Sequence, residues 1–390
     1  MALAVPMALL DESVSWRDLA IRSIASSIID APTVRRHKLS NTEISNQNYV
    51  LVRVMLENGV EGYGEAATLG GPRWAEESVE SIKSAIDVYL APVLIGRHAA
   101  SFEENALRLS KAASRNNAAK AAIEAAMFDA VGKSLGLPVT TLLGGAVRSS
   151  FSIIWALASG DAGQEIEEAQ AKIERREHRR FKIKIGFAEP SVDIQRLRKI
   201  RTALGSDVEI IVDVNQGWSE ATAMRWMPAF ADLGVSLIEQ PLPAAQIEQL
   251  GRIAARTSIP IMVDEAVFTS AEIIRAGQAG SGSVISLKLV KSGGLLELKR
   301  AAAVAGAVGM ELYGGCLLES GIGAAAHLAV FSTLPKLEWG TEQFGPKILA
   351  NDLVLEGPTF RDFEVHLAQG PGLGIVLDEE RIKHMTRTGN

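Results

Sequence analysis

At 390 residues, with 47% hydrophobic and 22% charged side chains, the chain exceeds the ~100–200 residues usual for one domain and has ample apolar material for a large core. Forty-six acidic against forty basic residues give a formal charge of -6 along a mixed sequence, which excludes nucleic acid and anionic membranes as expected partners and favours a small ligand. A lone cysteine, Cys316, excludes an intramolecular disulfide framework and suits a reducing compartment; it is expected to be a small buried side chain.

The first ten residues, MALAVPMALL, are apolar but lack a basic leader and run into Asp11 and Glu12. Residues 1–17 are therefore expected to form a flexible tail rather than a secretory signal. No other stretch approaches the ~20 apolar residues of a membrane span, and a cytoplasmic protein is expected. From about residue 18 to 66, LAIRSIASSII, NYVLVRVMLE and VEGYGEA read as a three-stranded meander with a turn at Asn58-Gly59. Helices are expected near 74–95, 101–112 and 116–136, the last with a small-residue run, AAKAAIEAAMFDA, that favours helix and close packing. Gly144 and Gly145 mark a boundary, so residues 1–147 are expected to be an α+β capping domain.

The rhythm then changes to alternating strand and helix. FSIIWAL, FKIKI, VEIIVDV, VSLIEQ, PIMVDE, VISLKLV, MELYGG and LEWG read as eight strands, separated by helices such as EIEEAQAKIERREHRR and LLELKRAAAVAGAV. Short apolar runs separated by helices signal an α/β fold, a parallel sheet covered on both faces, and the regular spacing closes it into a barrel over residues 148–343. Residues 344–390 lose that rhythm. Their RDFEVHLA and GIVLDEERI segments are expected to return to the capping domain.

Asp213, Glu239, Asp264 and Lys288 recur near the ends of four successive strands, 26, 25 and 24 residues apart. That interval is about one strand, one helix and two loops, so in a parallel barrel the four converge at one mouth. Three carboxylates and an amine there make a cation site with a proton donor or acceptor beside it. A single Asp at a strand end is commonly a helix cap; the repetition argues for the site. Asn215 would share the face of Asp213 if the strand persists, and would support the site or cap the following helix. His178 and His327 fall in helical segments without zinc-ligand spacing and are expected to be surface or packing residues.

Lys182 and Lys184 are two residues apart and so point to one side of a strand. Two like charges in a dehydrated place would lower one lysine's pKa toward the working pH and make it a usable acid or base. Arg35, Arg36, His37 and Lys38 follow Pro32-Thr33 in an expected loop and offer positive charge to an anionic ligand, although most such runs are simply solvated. TLGGPRW, with Leu69, Gly70-Gly71 and Trp74, reads as a mobile second lid, with packing on the cap as the alternative role of Trp74.

In this order KIKIG, DVNQGW, LIEQPL, VDEA, SLKLVKSGG and GGCLLESGIG resemble the enolase superfamily, and Lys288 in the sixth run resembles its muconate-lactonizing subgroup. The mandelate racemase subgroup would instead carry a histidine base after the seventh strand. PTVRRHKLS, EGYGEAATLGG, LYGGCLLESGIG, WGTEQFGP and RDFEVHLAQGPGLGIVLDEERI resemble muconate cycloisomerases in particular, and the likeness runs from about Ile21 to the C-terminus.

The resemblance implies a (β/α)7β modified TIM barrel with an α+β cap. It implies Asp213, Glu239 and Asp264 as ligands of one Mg2+ or Mn2+ per subunit, with Lys184 and Lys288 facing each other across the substrate. Lys182 would lie beside Lys184, Glu319 near the substrate at the end of the seventh strand, and Glu265 would orient Lys288 or Lys184. Arg35, His37, Lys38, Leu69 and Trp74 would form the lid. The implied activity is an isomerase of aromatic catabolism that reversibly closes cis,cis-muconate, a small dicarboxylate, to muconolactone through an enolate. A symmetric homo-oligomer such as an octamer is implied as well.

Lys184 is the expected acid and Lys288 its electrostatic support, with the reverse left open. The same machinery serves chloromuconate cycloisomerases, dipeptide epimerases, N-acylamino acid racemases and o-succinylbenzoate synthases. A catalytically silent barrel that binds a carboxylate is the non-enzyme alternative, against which the intact lysines and carboxylates stand. One departure from the muconate pattern is Ser320-Gly321-Ile322 after Glu319, where Gly-Ser or Ser-Ser is expected.

Overall fold

The computed structural model describes residues 16–38 and 42–388. The tail expected over residues 1–17 lies outside them except for its last two residues, which open a 3-10 turn, Trp16–Leu19. Three antiparallel strands follow: β1 (Ile21–Lys38), β2 (Glu43–Leu56) and β3 (Glu61–Thr68), in the order β1-β2-β3. The first two are longer than the meander read from sequence. PTVRRHK lies inside β1 rather than in a loop, although the ladder to β2 is broken between Pro32 and His37, where the strand bulges.

The helix Asn117–Leu135 packs across β3. Its alanines and the glycines of β3 let the two backbones approach closely: a Cβ added to Gly62 would lie 2.1 Å from the carbonyl oxygen of Ala126, and one on Gly64 2.0 Å from that of Ala122. The expected helix at 74–95 starts later, at Val79, because Ser78 and Ser81 form a reciprocal cap there.

Seven strands make the second sheet: β5 (Trp155–Leu157), β6 (Arg180–Lys184), β7 (Glu209–Asp213), β8 (Leu237–Glu239), β9 (Ile261–Val263), β10 (Val284–Leu287) and β11 (Glu311–Gly314). They pair in parallel in chain order. The eighth strand expected at LEWG is instead a turn. Closure falls to Thr341, which bridges Gly314 on one side and Ile153 on the other. Its N–H donates to the Ser152 carbonyl at 3.0 Å and its carbonyl accepts from the Ile154 N–H at 2.9 Å. The result is a (β/α)7β barrel beneath an antiparallel cap, with the eighth staff reduced to one bridging residue.

Period-two alternation then sorts the barrel's interior. Ile211, Leu237, Met262 and Val284 join Ile154 and Tyr313 in a buried apolar cluster. Two residues further on, on the same face, stand Asp213, Glu239, Asp264 and, on β10, Ser286. An apolar floor therefore lies one layer below the charged mouth.

The two C-terminal segments go to different places. RDFEVHLA supplies β14 (Glu364–His366) and the last residue of β13 (Thr359–Arg361), which form a sheet with β4 (Ser150–Ser152) at the barrel's start. β12 (Val354–Glu356) pairs with β15 (Val376–Leu377), and the helix Glu379–Met385 carries the chain back to β1. There the Arg387 N–H meets the Ile28 carbonyl at 2.9 Å, and its guanidinium meets Asp30 at 2.7 Å.

Gly62→Ala should destabilise the protein by about 3 kcal/mol, the upper range for overpacking a tight contact. Urea unfolding checks this; an unchanged midpoint would mean that β3 and the helix part without strain.

Candidate active site

The strand register places the charges. Lys184 is the ladder partner of Asp213, and Asp213 that of Glu239, while Asp264 and Lys288 follow β9 and β10 directly. All are buried. Lys184 Nζ donates to Asp213 Oδ2 at 2.5 Å and to Asn215 Oδ1 at 3.2 Å. Lys288 Nζ donates to Asp264 Oδ2 at 2.5 Å. Lys182 Nζ lies 2.5 Å from Glu239 Oε2 and 2.5 Å from Glu342 Oε2. The order of the sheet puts β6 and β10 four places apart on a ring of eight, so Lys184 and Lys288 face each other across the mouth.

The lysines are not tuned as the KxK spacing suggests. Burial lowers the Lys184 pKa and Lys182 adds to that, but Asp213, Glu239 and Glu342 together leave it above the ordinary value. Lys182 and Lys288 are likewise raised against the effect of burial, Lys182 chiefly by Glu239 with Glu342 and Lys288 by Asp264 together with Glu239, Glu342 and Glu265. The carboxylates that the spacing alone does not pair with each lysine decide the direction. With these carboxylates as partners all three favour the ammonium form, which donates a proton or steadies negative charge. Glu239 is pushed well up by burial and by the neighbouring Asp213 and Asp264, a crowding of negative charge. Glu265, raised to about 7 by burial, Asp264 and Asp213, accepts from Asn215 Nδ2 at 3.2 Å and so reaches Lys184 through that amide. Asn215 does not continue the strand: β7 stops at Asp213, and Asn215 sits at φ 42°.

Other expected residues are spread more widely. Trp74 covers the site, with Lys288 Nζ 4.4 Å from its ring. Leu69 is buried and lines a small cleft with Trp74, Val290 and Leu317, so this segment rests on the turns after β10 and β11. His37 is buried near the lysines; burial, Arg35, Lys184 and Lys182 hold its pKa well down. Arg35 is occupied elsewhere, joining the cap to the barrel through Glu168 at 2.9 Å and the Ala156 carbonyl at 2.7 Å. Lys38 lies 6.0 Å from the Phe187 ring, and Arg36 pairs with Glu43 on the surface.

Glu319 is five residues past β11. It accepts the Leu317 N–H at 2.9 Å and lies 3.7 Å from His327 Nε2. Both expected surface or packing histidines are buried, and His178 lies in a loop against Trp155 rather than in a helix. His327 accepts the Leu289 N–H at Nε2 and meets the Gly323 carbonyl at Nδ1, so both nitrogens are committed to main chain.

Sequence reasoning missed Glu342 and Lys291. Glu342 pairs with Lys182, accepts from Tyr313 Oη at 3.1 Å and takes the Cys316 N–H at 3.1 Å. Its only signal was the WGTEQFGP motif, because Thr341 replaces a strand there. Lys291, in LKLVKSGG, meets Asp264. The loop after β11 is held by buried cap residues: Gln47 Nε2 donates to the Leu317 carbonyl at 2.5 Å, Tyr49 Oη to the Leu318 carbonyl at 2.6 Å, and Glu65 accepts the Ser320 N–H at 3.0 Å and its hydroxyl. The departure at Ser320 thus serves the cap contact. Gln240 at φ 34° and Leu318 at φ 59° join Asn215 as left-handed residues around the mouth, where such strain commonly gathers.

Residues 164–381 match the model of the enolase C-terminal domain-like family, and residues 24–144 match that of the mandelate racemase / muconate lactonizing enzyme N-terminal domain. The chain belongs to the mandelate racemase / muconate lactonizing enzyme family. It is 44% identical to muconate cycloisomerase 1 of Pseudomonas putida, over 92% of this chain and 96% of the other. It is 40% identical to a chloromuconate cycloisomerase of Cupriavidus necator, over 95% and 100%. The crystal structure of a muconate lactonizing enzyme from Pseudomonas fluorescens complexed with muconolactone superimposes with a TM-score of 0.93 at 44% identity, covering 95% of this chain and all of that one. The chain is an isomerase of the cycloisomerase kind. No helix among the described residues is long and apolar enough to cross a membrane.

Burial pushes the Glu65 carboxyl up to about 8 from an ordinary 4.5, opposed by its bonds to Ser320 and assisted by Glu319 and Asp352. Between those values the folded protein holds a proton that the unfolded chain releases, so stability falls as pH rises through the window, by up to ~1.4 kcal/mol per pH unit. Glu65→Gln should flatten that slope by about 1 kcal/mol per unit in urea unfolding at pH 5.5, 6.5 and 7.5. An identical slope in the variant would mean that Glu65 is already ionised in the fold.

Proposed function

We propose that the chain closes cis,cis-muconate to muconolactone, with Lys184 as the proton donor and Lys288 as electrostatic support. The observation that carries this is the pair of buried ammonium ions facing each other across one barrel mouth, each seated on a strand-end carboxylate. Muconate and chloromuconate cycloisomerases are similar to this chain over nearly its whole length, which supports the substrate class.

In the reaction, one carboxylate oxygen of muconate adds to the far end of the double bond conjugated with the other carboxylate. The electron pair moves toward that second carboxylate and makes an enolate-like dianion. Lys288 steadies this charge from its side of the mouth, in a place where the lid excludes water and so strengthens the interaction. Lys184 delivers one proton to the carbon beside the charged carboxylate, which gives the lactone, and recovers a proton from solvent afterwards. Lys182, held between Glu239 and Glu342, keeps the strand-end carboxylates in place.

Asp213, Glu239 and Asp264 are the proposed ligands of one Mg2+ or Mn2+. The donors fit a hard divalent ion in kind: all are carboxylates, all are buried, and their mutual repulsion raises Glu239. As the side chains stand, no three acidic, histidine or cysteine groups among the described residues are gathered around one point, because lysine ammoniums take the carboxylate oxygens. Those contacts must open for an ion to be held. When bound, the ion supplies positive charge beside the carboxylate where negative charge develops. A cytoplasmic, homo-oligomeric enzyme belongs to the same proposal, supported by the lone cysteine and the family resemblance.

Chloromuconate is the second substrate reading, favoured by the 39–40% identity of chloromuconate cycloisomerases that this chain covers almost completely. Initial rates with muconate and chloromuconates, followed by loss of diene absorbance, rank the two. Turnover of dipeptides or N-acylamino acids in place of both would set the substrate class aside.

EDTA should abolish activity and Mg2+ or Mn2+ restore it, while Glu239→Gln should weaken metal uptake and leave the circular dichroism unchanged. Full activity in metal-free protein would remove the ion from the proposal.

In D2O the lactone should carry one deuterium of single stereochemistry. Lys184→Ala should lower kcat by about 10²–10⁴-fold, the range for a lost general acid. Lys288→Met should lower it by about 10²–10³-fold while retaining proton exchange at the product carbon. Exchange that survives in the Lys184 variant and vanishes in the Lys288 variant would transfer the acid role to Lys288.

A further inference from the structure

Two ammonium ions meet Asp264. Besides Lys288 on Oδ2, Lys291 Nζ donates to Oδ1 at 3.0 Å and to the main-chain carbonyl of the same residue at 2.9 Å. Lys291 has no part in the chemistry above, yet it is only 3% exposed. Dehydrating an ammonium ion is expensive, and an inert packing role leaves that cost unexplained when an apolar side chain of similar length would fill the space. Lys291 lies three residues beyond Lys288 in the one-turn helix Leu289–Ser292, which brings both ammoniums to one carboxylate. The turn is held from the cap, where Asn117 Nδ2 donates to the Lys291 carbonyl at 2.5 Å. On the opposite side, Gln240 Oε1 accepts the N–H groups of Asp264 at 2.9 Å and Ala266 at 3.2 Å. Asp264 is thereby fixed at its nitrogen, its carbonyl and Oδ1. Oδ2 is the oxygen left to change partners.

We infer that Lys291 is a positioning residue for the metal site: it pins Oδ1 and the carbonyl of Asp264 so that Oδ2 alone, in a fixed direction, is offered to the ion once Lys288 gives it up. The inference rests on the reading of Asp264 as a metal ligand. It divides the two lysines of LKLVKSGG by task, since Lys288 exchanges partners and Lys291 keeps its own. It also gives the cap a line to the site through Asn117.

Positioning and mere proximity of charge differ in sign. If Lys291 were only a positive charge near the ion, its removal would tighten cation binding. If it orients the ligand, its removal frees the carboxylate to rotate onto Lys288 and weakens binding, by the 10–100-fold typical of lost groups behind a ligand. The test is Mn2+ binding to the full chain without substrate, read as the free-Mn2+ electron paramagnetic resonance signal. Lys291→Met should bind Mn2+ about 10–100-fold more weakly than wild type. Asn117→Ala, which keeps the buried charge and removes only the cap's hold on that turn, should also bind more weakly than wild type, by less than Lys291→Met. Unchanged or tighter binding in folded Lys291→Met overturns the inference. Where that variant does not fold, wild-type affinity in Asn117→Ala overturns it equally. A wild-type chain that takes up no Mn2+ overturns the metal reading itself and this inference with it, a result distinguishable from altered binding in the variants alone.

Discussion

Charges removed from water must find partners, and this constraint organises the mouth of the barrel. A buried ammonium or carboxylate standing alone costs several kcal/mol, whereas breaking one member of a buried pair is expensive because it strands the other. Lys182, Lys184, Lys288 and Lys291 meet Glu239 with Glu342, Asp213, and Asp264 in a set of contacts at 2.5–3.0 Å. Each charge is therefore held by a partner of opposite sign. The same pairing raises the pKa values of Lys182, Lys184 and Lys288 against burial, while at Lys291 burial prevails and lowers it. A site built in this manner suits the proposed proton transfer and the proposed cation.

The cap completes the arrangement rather than merely covering it. Gln47, Tyr49 and Glu65 bind main-chain groups of the loop after β11, and through them a sheet of one domain sets the conformation of a catalytic-face loop of the other. Trp74 lies over Lys288 and Arg35 ties β1 to β5. Excluding water from this place raises the worth of every charge inside it, because the local dielectric falls. The close backbone approach of β3 to the helix Asn117–Leu135 gives the cap the rigidity that such contacts need.

Much of this was legible in the chain. Strand and helix in regular alternation are local properties, set by apolar runs and their length, and the 24–26 residue recurrence of Asp213, Glu239, Asp264 and Lys288 is a direct image of the repeating βα unit. The meander, the alanine-rich helix and the strand-end charges follow from the same local rules. Where no local rule applied, the reading failed. The eighth staff is one residue, Thr341, held by bonds to both neighbours, and its own sequence has no strand signal. PTVRRHK continues β1 because β2 offers it a partner on either side of the bulge.

Sequence by itself determined the barrel, the cap and the kinds of groups gathered at the mouth, since periodicity and residue type are written along the chain. Tertiary structure decided which of those groups meet. Glu342 faces Lys182, Lys291 stands behind Asp264, Arg35 serves the domain interface, and Glu319 turns toward Leu317 and His327. It also decided the direction of the lysine pKa values, because that depends on distances of about 3 Å between residues 24 to 160 positions apart. Spacing along a strand conveys which side a residue takes; only the closed barrel conveys what stands opposite.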